Sequence, residues 1–310
     1  MDSTLAAWLD ASATDVDALW RAVLRREIEP EERAATLARL EAGMSRAALV
    51  QELATSAEFE RVRILDDSIA WAAAKRRAGA RPRELQAPPG SDERPIEIPW
   101  VLSRYAGERR LLDVGYAYAE PAYLAGLVGL GVPELTGVDL VSGVVPGLTS
   151  VQADLRDLPF ENGAFDVAIA ISTLEHVGRD NTQYGLASEH DDASLDAALR
   201  ELRRVSARLL VTVPTGAGEL LAEQAVFTPR QWVERFERAG LLVWEDELYE
   251  LGADGWRSAR ELSPGLRYGE RGPGASAVLC AELRPTKVSA RLRLAVRDRR
   301  YPDDPRRATG

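Results

Sequence analysis

The stretch LLDVGYAYAEPAYL, residues 111–124, carries the side chains whose types and spacing most clearly suit chemistry. An apolar run ends at Asp113-Val114-Gly115, a tight turn follows, and Pro121 suits the first position of a helix. Strand–turn–helix units of this kind hold nucleotide-type cofactors. A second carboxylate, Asp139, closes the next apolar run 24 residues after Gly115, where it would accept hydrogen bonds from ribose hydroxyls. A dinucleotide needs further glycines so that the backbone can approach its pyrophosphate, and an uncluttered helix N-terminus to hold the negative charge. Ala117 and Ala119 stand in the later positions instead, and Glu120 stands at the helix entrance. Asp113 and Glu120 would repel a pyrophosphate and attract a ligand with an ammonium, a sulfonium and no phosphate. S-adenosylmethionine is such a ligand. The bland alternative is a glycine-poor turn that holds nothing.

Downstream, ISTLEH (residues 171–176) ends another apolar run, beside the place where a transferable methyl group would sit. Methyl transfer is a displacement at an activated carbon, so the protein mainly aligns three atoms. A hydroxyl acceptor must also lose its proton to a base tuned near neutrality, and His176 is the candidate. Glu175 could orient His176 or bind the acceptor, and a plain structural role stands beside both. The polar stretch after His176 contains Asn181, Gln183 and Tyr184, which could hydrogen-bond a polyhydroxylated acceptor, and long loops at such sheet edges are commonly lids. A second wall is expected from YELGADGW, residues 249–256, with Trp256 as its aromatic. Phe227 and Trp232 read equally well as core, and His190 as a surface residue.

These side chains need a scaffold, and the pattern from about residue 96 onward supplies one. RLLDV, LTGVDL, FDVAIAIS, RLLVTVP, LLVWEDELYE and ASAVLCAEL read as strands, while YLAGLVGLG, SLDAALRELRRV and TPRQWVERFERAG read as helices. Alternation of this kind predicts a doubly wound α/β sheet with ligands at the carboxyl ends of its strands. Residues 1–78 instead read as four short helices: Val16, Leu19, Trp20, Val23 and Leu24 repeat at helical spacing, Pro30 opens a second helix, and Ser45 and Ser56 can cap two more. The expected organisation is a helical domain over 1–78, a Pro-, Gly- and charge-rich linker over 79–99, a catalytic domain over 100–285 and a basic tail over 286–310.

Composition excludes several classes. Acidic residues outnumber basic ones 49 to 39, for a net charge of −10, which disfavours a general nucleic-acid binder. Residues 284–310 run the other way, with nine basic and three acidic side chains. A single cysteine, Cys280, rules out an intrachain disulfide, and two histidines make a His-based metal site improbable, so no metal is expected. The start lacks signal-peptide character and no apolar run approaches the ~20 residues of a membrane span. A cytoplasmic protein is expected, and the scarcity of lysine beside arginine and alanine resembles the codon bias of a GC-rich bacterium.

Residues 100–283 resemble the class I S-adenosylmethionine-dependent methyltransferases. The family's first motif matches LLDVGYAYAE, with Asp113 and Gly115 in place and Ala117 and Ala119 where glycines are usual. The ribose-binding acid matches Asp139 in LTGVDL. The adenine-contacting segment matches VQADLRDLPFENGAFD, which implies Asp154 and the Leu155 backbone as partners of the base. The fourth motif matches FDVAIAISTLEHVG, which places Ser172 at the cofactor. The resemblance implies a Rossmann-like, seven-stranded sheet and S-adenosylmethionine as cofactor. Residues 12–65 resemble a bacterial helical domain related to phycobilisome-linker modules, often attached to enzymes of glycan assembly, which implies a protein partner and no chemistry. Together these readings point to methylation of a small-molecule or glycan-linked acceptor, with a sugar hydroxyl as the expected target. The alternatives are a nucleotide-sugar oxidoreductase or epimerase, and a catalytically inactive scaffold.

Overall fold

The computed structural model describes residues 15–184, 190–272 and 274–286, and the chain divides at Ser68/Ile69 into two compact units. Residues 185–189 of the polar loop and the basic tail from 287 onward lie outside the described residues.

The first unit holds α1 (Val16–Leu24), α2 (Pro30–Glu41), α3 (Arg46–Ala54) and the start of α4 (Ala57–Arg77). The helix starts follow the sequence chemistry. Asp15 and Ser45 accept the backbone N–H groups of Ala18 and Ala48, Ser56 accepts that of Phe59, and Pro30 occupies the first turn of α2. Leu19, Trp20, Leu24, Ile28, Leu49 and Leu53 close a small apolar core, against which Leu37, Leu40 and Phe59 pack. None of the described helices is long and apolar enough to cross a membrane.

The second unit is a single eight-stranded sheet flanked by helices. In chain order it contains α5 (Arg94–Leu102), β1 (Arg110–Val114), α6 (Pro121–Val128), β2 (Glu134–Asp139), β3 (Thr149–Gln152), β4 (Val167–Ile171), α7 (Asp192–Val205), β5 (Leu209–Pro214), β6 (Glu219–Leu220), β7 (Ala225–Val226), α8 (Pro229–Arg238), β8 (Leu241–Gly252), β9 (Gly255–Ala259) and β10 (Ala277–Pro285). The sheet order is β3-β2-β1-β4-β5-β10-β8-β9, with β6 and β7 forming a separate pair. Strands β3, β2, β1, β4 and β5 are parallel, and β10 inserts antiparallel between β5 and β8. Strands β1, β4 and β5 are almost wholly buried because helices cover both faces, and their sequences are correspondingly continuous apolar runs.

Two features depart from the sequence reading. The sheet has eight strands rather than seven. The eighth, β9, folds back on β8 through the Ala253-Asp254 turn and hydrogen-bonds along its outer edge. Part of the expected substrate wall is therefore sheet, and Tyr249 and Trp256 are fully buried in it. The segment 79–99 is also more than a linker. Leu85 and Ala87 are buried, Ala87 bridges Trp256, and α5 begins inside the segment at Arg94. The run IEIPWVL, residues 96–102, drives this, since burying Ile96, Ile98, Trp100, Val101 and Leu102 outweighs the local Pro and charge content.

Candidate active site

The carboxyl ends of β1, β2 and β4 meet at one edge of the sheet, as parallel pairing requires, and a cavity of about 400 Å³ opens there. Asp113, Gly115, Glu120, Asp139, Asp154, Leu155, Ser172, His176, Asn181 and Tyr184 all line it. Ala117 stands one layer behind: its N–H donates to Asp139 Oδ2 at 3.0 Å, and the N–H of Val141 donates to Oδ1 at 3.3 Å, so the carboxylate is aimed by backbone on both sides. Gly115 adopts the left-handed conformation, with φ of 81°, and a Cβ there would lie 2.6 Å from Thr173 Oγ1. No other residue type fits that turn without strain.

Asp113 is buried at the floor. Its Oδ1 accepts the Tyr123 hydroxyl at 2.5 Å, whereas Oδ2 is buried without a partner. Burial, reinforced by Asp139, pushes this carboxyl up to about 7. Asp154 is clamped by Arg156, whose hydrogen bonds hold its carboxyl below the usual range. Each guanidinium at the cavity is thus engaged by a carboxylate, Arg156 by Asp154 and Arg94 by Glu97. Glu120 occupies the N-cap position of α6 without a side-chain cap hydrogen bond, so a carboxyl, pushed up by burial, stands at the helix end that would bind a phosphate. An unpartnered buried carboxylate oxygen, a second carboxylate at the end of β2 and no phosphate cradle fit S-adenosylmethionine, with its ammonium, sulfonium and ribose hydroxyls.

A second cavity of about 240 Å³ adjoins the first, and Arg94, Ser172, His176 and Tyr184 line both. His176 stands between them. Its Nδ1 lies 2.7 Å from the Glu223 carbonyl oxygen, which can only accept, so the ring proton sits on Nδ1 and Nε2 keeps its lone pair. Burial pushes the imidazole below its ordinary 6.5, and the Glu223 carbonyl works against that only in part. Glu175 Oε1 is 4.0 Å from His176 Nε2. Glu175 is 2% exposed, its Oε2 has no partner, and burial pushes its carboxyl well above the usual range. Ser172 has a positive φ of 42° and donates to Glu97 Oε1 at 2.7 Å, while Glu97 Oε2 accepts from Arg94 at 2.8 Å. A strained backbone held by a buried ion pair is the kind of local cost that functional edges carry.

Other expected residues stand apart from this chemistry. Asn181 lines the cavity, but its amide donates to the His176 and Arg179 carbonyls and so braces the turn. Gln183 belongs to the turn Thr182–Tyr184, and its side chain lies outside the described residues. Trp256 lines neither cavity; its Nε1 donates to the buried Ser91 carbonyl at 3.1 Å. His190 is exposed, and Trp232 is buried in the core, donating to the Pro214 carbonyl. Sequence reasoning missed Glu93, Arg94 and Glu97, which the Pro-rich composition of 79–99 disguised. The Arg94/Glu97 pair at helical i,i+3 spacing was the available signal. It also missed Tyr118, whose hydroxyl donates to the Tyr184 carbonyl across the cavity mouth, and Glu223 and Tyr268 on distant loops.

Residues 112–208 match the family described as a methyltransferase domain. No curated protein matches the chain in sequence. Among similar solved structures is an S-adenosylmethionine-dependent methyltransferase from Methanosarcina mazei, 14% identical over 60% of this chain and 96% of that one, with a TM-score of 0.42. A second is 1,6-didemethyltoxoflavin-N1-methyltransferase of Burkholderia thailandensis, solved with 1,6-didemethyltoxoflavin and S-adenosylhomocysteine, 16% identical over 84% and 92%, TM-score 0.40. A third is the CcbJ methyltransferase of Streptomyces caelestis, 14% identical over 60% and 86%, TM-score 0.40. The family match spans β1 through α7, the same segment that builds the cavity from Asp113, Gly115, Asp139 and Asp154. Within the second unit, residues 112–208 are thus similar to a methyltransferase domain, carried on the doubly wound sheet described above.

Proposed function

We propose that this enzyme methylates a hydroxyl oxygen of a small or glycan-linked acceptor, a sugar hydroxyl being the target, with His176 as the general base. The observation that carries the reading is the His176 tautomer: Nδ1–H is committed to the Glu223 carbonyl, so the Nε2 lone pair is left at the junction of the two cavities. Bound S-adenosylmethionine supplies an electrophilic methyl carbon on a sulfonium that departs as a neutral thioether. Asp113, Asp139, Asp154 and the Leu155 backbone hold the cofactor, and Gly115 lets the chain turn beneath it. Nε2 takes the acceptor's hydroxyl proton as the new O–CH₃ bond forms, and burial keeps the imidazole neutral and ready to accept it. The polar lining of the second cavity supports a hydroxylated acceptor. The first unit, among whose described residues none of His, Cys, Asp and Glu group as a metal site, is assigned to binding a protein partner, in keeping with a bacterial cytoplasmic enzyme of glycan or secondary-metabolite assembly.

Turnover tests the base. His176→Ala should retain S-adenosylhomocysteine affinity and lose ~10²–10⁴-fold in kcat, measured as S-adenosylhomocysteine release with hydroxylated acceptors. Full turnover by the variant would remove His176 as base.

A further inference from the structure

The second cavity is unusual for an acceptor site in its charge. Glu93, Glu175 and Glu223 line it, with Arg94 as the one guanidinium among its lining residues. That guanidinium is already hydrogen-bonded to buried Glu97 at 2.8 Å. Glu93 is buried, and its Oε2 accepts the Ala275 N–H at 3.1 Å. Glu175 is the independent observation that a ligand belongs here. It is 2% exposed, and its buried Oε2 has no hydrogen-bond partner among the described residues. A polar atom in that position is expensive unless a ligand completes it. Among the described residues no group of three or more His, Cys, Asp or Glu is arranged to hold a metal ion.

We propose that the acceptor carries an ammonium group, which Glu175, with Glu93 and Glu223, anchors beside His176 while a neighbouring hydroxyl of the same molecule meets Nε2. This rests on the methyl-transfer reading above and narrows its substrate class to amino polyols, amino sugars above all. Three carboxyls face one guanidinium on these walls, and an ammonium brings positive charge as well as hydrogen-bond donors, whereas a neutral polyol brings donors alone. Burial, with repulsion from Glu97 and Asp92, pushes the Glu93 carboxyl up to about 7, and burial, with repulsion from Glu97 and Glu93, pushes that of Glu175 above the usual range. Backbone hydrogen bonds and Arg94 oppose this only in part, and His176, Glu223, Tyr184 and Tyr268 are the other titratable groups at the walls. A bound cation would let these carboxyls ionise together. The cavity, at about 240 Å³, is smaller than the ~300–1,000 Å³ of drug-sized ligand sites and suits one sugar ring or a fragment of that size.

The test is calorimetry on the full chain saturated with S-adenosylhomocysteine at neutral pH, with D-glucosamine, D-glucose and N-acetyl-D-glucosamine as probes. Glucosamine should bind about tenfold or more tightly than either neutral sugar. Glu175→Gln, which keeps the shape and removes the charge, should abolish that preference while S-adenosylhomocysteine affinity stays at the wild-type value. Glucosamine binding no tighter than glucose, or a preference that survives Glu175→Gln, overturns the proposal. S-adenosylhomocysteine binding is read before any sugar is added, so failure of the methyl-transfer reading registers as a separate result.

Discussion

Asp113→Asn should make the unliganded enzyme more stable at neutral and alkaline pH while weakening its hold on the cofactor. Asp113 is 1% exposed, accepts the Tyr123 hydroxyl on one oxygen and leaves the other without a partner. Its carboxyl titrates at 3.8 when unperturbed and at about 7 in the fold, where desolvation dominates and Asp139 adds repulsion. At ~1.36 kcal/mol per pH unit, ionising it inside the folded chain costs about 4 kcal/mol. The sign follows from proton counting. A folded-state pKa above the unfolded one means stability present below 3.8 and lost as pH rises to about 7, where the loss levels off. Asparagine keeps an acceptor for Tyr123 and cannot ionise. The stability difference between variant and wild type should therefore open by about 4 kcal/mol between roughly pH 4 and pH 8. In a unit of this size that is about 8–16 °C in Tm at the alkaline end. Urea unfolding followed by tryptophan fluorescence across that range measures it, and calorimetry with S-adenosylmethionine measures the functional cost. Wild-type affinity for the cationic cofactor should rise with pH through about 7, as Asp113 ionises. A stability difference independent of pH, or a variant that binds the cofactor like the wild type, would refute the account.

The remaining expectations are more local. Gly115→Ala places a Cβ 2.6 Å from Thr173 Oγ1 at a φ of 81°, so it should cost ~1–3 kcal/mol in urea unfolding and sharply weaken S-adenosylhomocysteine binding. Because burial lowers the His176 pKa, the acidic limb of kcat/KM against pH should lie below 6.5; a limb above 6.5 would contradict the neutral base. Trp256→Phe strips a buried donor from the Ser91 carbonyl and should lower stability by ~1–3 kcal/mol. KM for cofactor and acceptor should be unchanged, and a raised acceptor KM would return this tryptophan to the substrate wall.

That the residues proposed to hold the cofactor share one cavity was legible in the sequence because the arrangement is local. Asp113, Gly115 and Glu120 lie within eight residues on one strand–turn–helix unit, and parallel pairing of β1 with β2 and β4 brings Asp139 and Ser172 to the same edge. The acceptor half was not. Glu97 meets Ser172 across 75 residues of chain and His176 meets the Glu223 carbonyl across 47, contacts that no periodicity announces. Residues 79–99 misled for a related reason, since Pro, Gly and charge mark a linker only where nothing covers the chain. Here the apolar run of α5 packs down and buries Glu93 and Glu97 with it.

By itself, then, the sequence determined the alternation of strands and helices, the tight turn at Gly115 and the carboxylates that favour a cationic cofactor over a pyrophosphate, because each depends on neighbours a few residues away. Tertiary structure alone decided which nitrogen of His176 is free, that Asp113, Glu93 and Glu175 hold their protons more tightly than exposed carboxyls, and that Trp256 belongs to the core. Those properties depend on which groups are taken out of water together, and only the packed chain decides that.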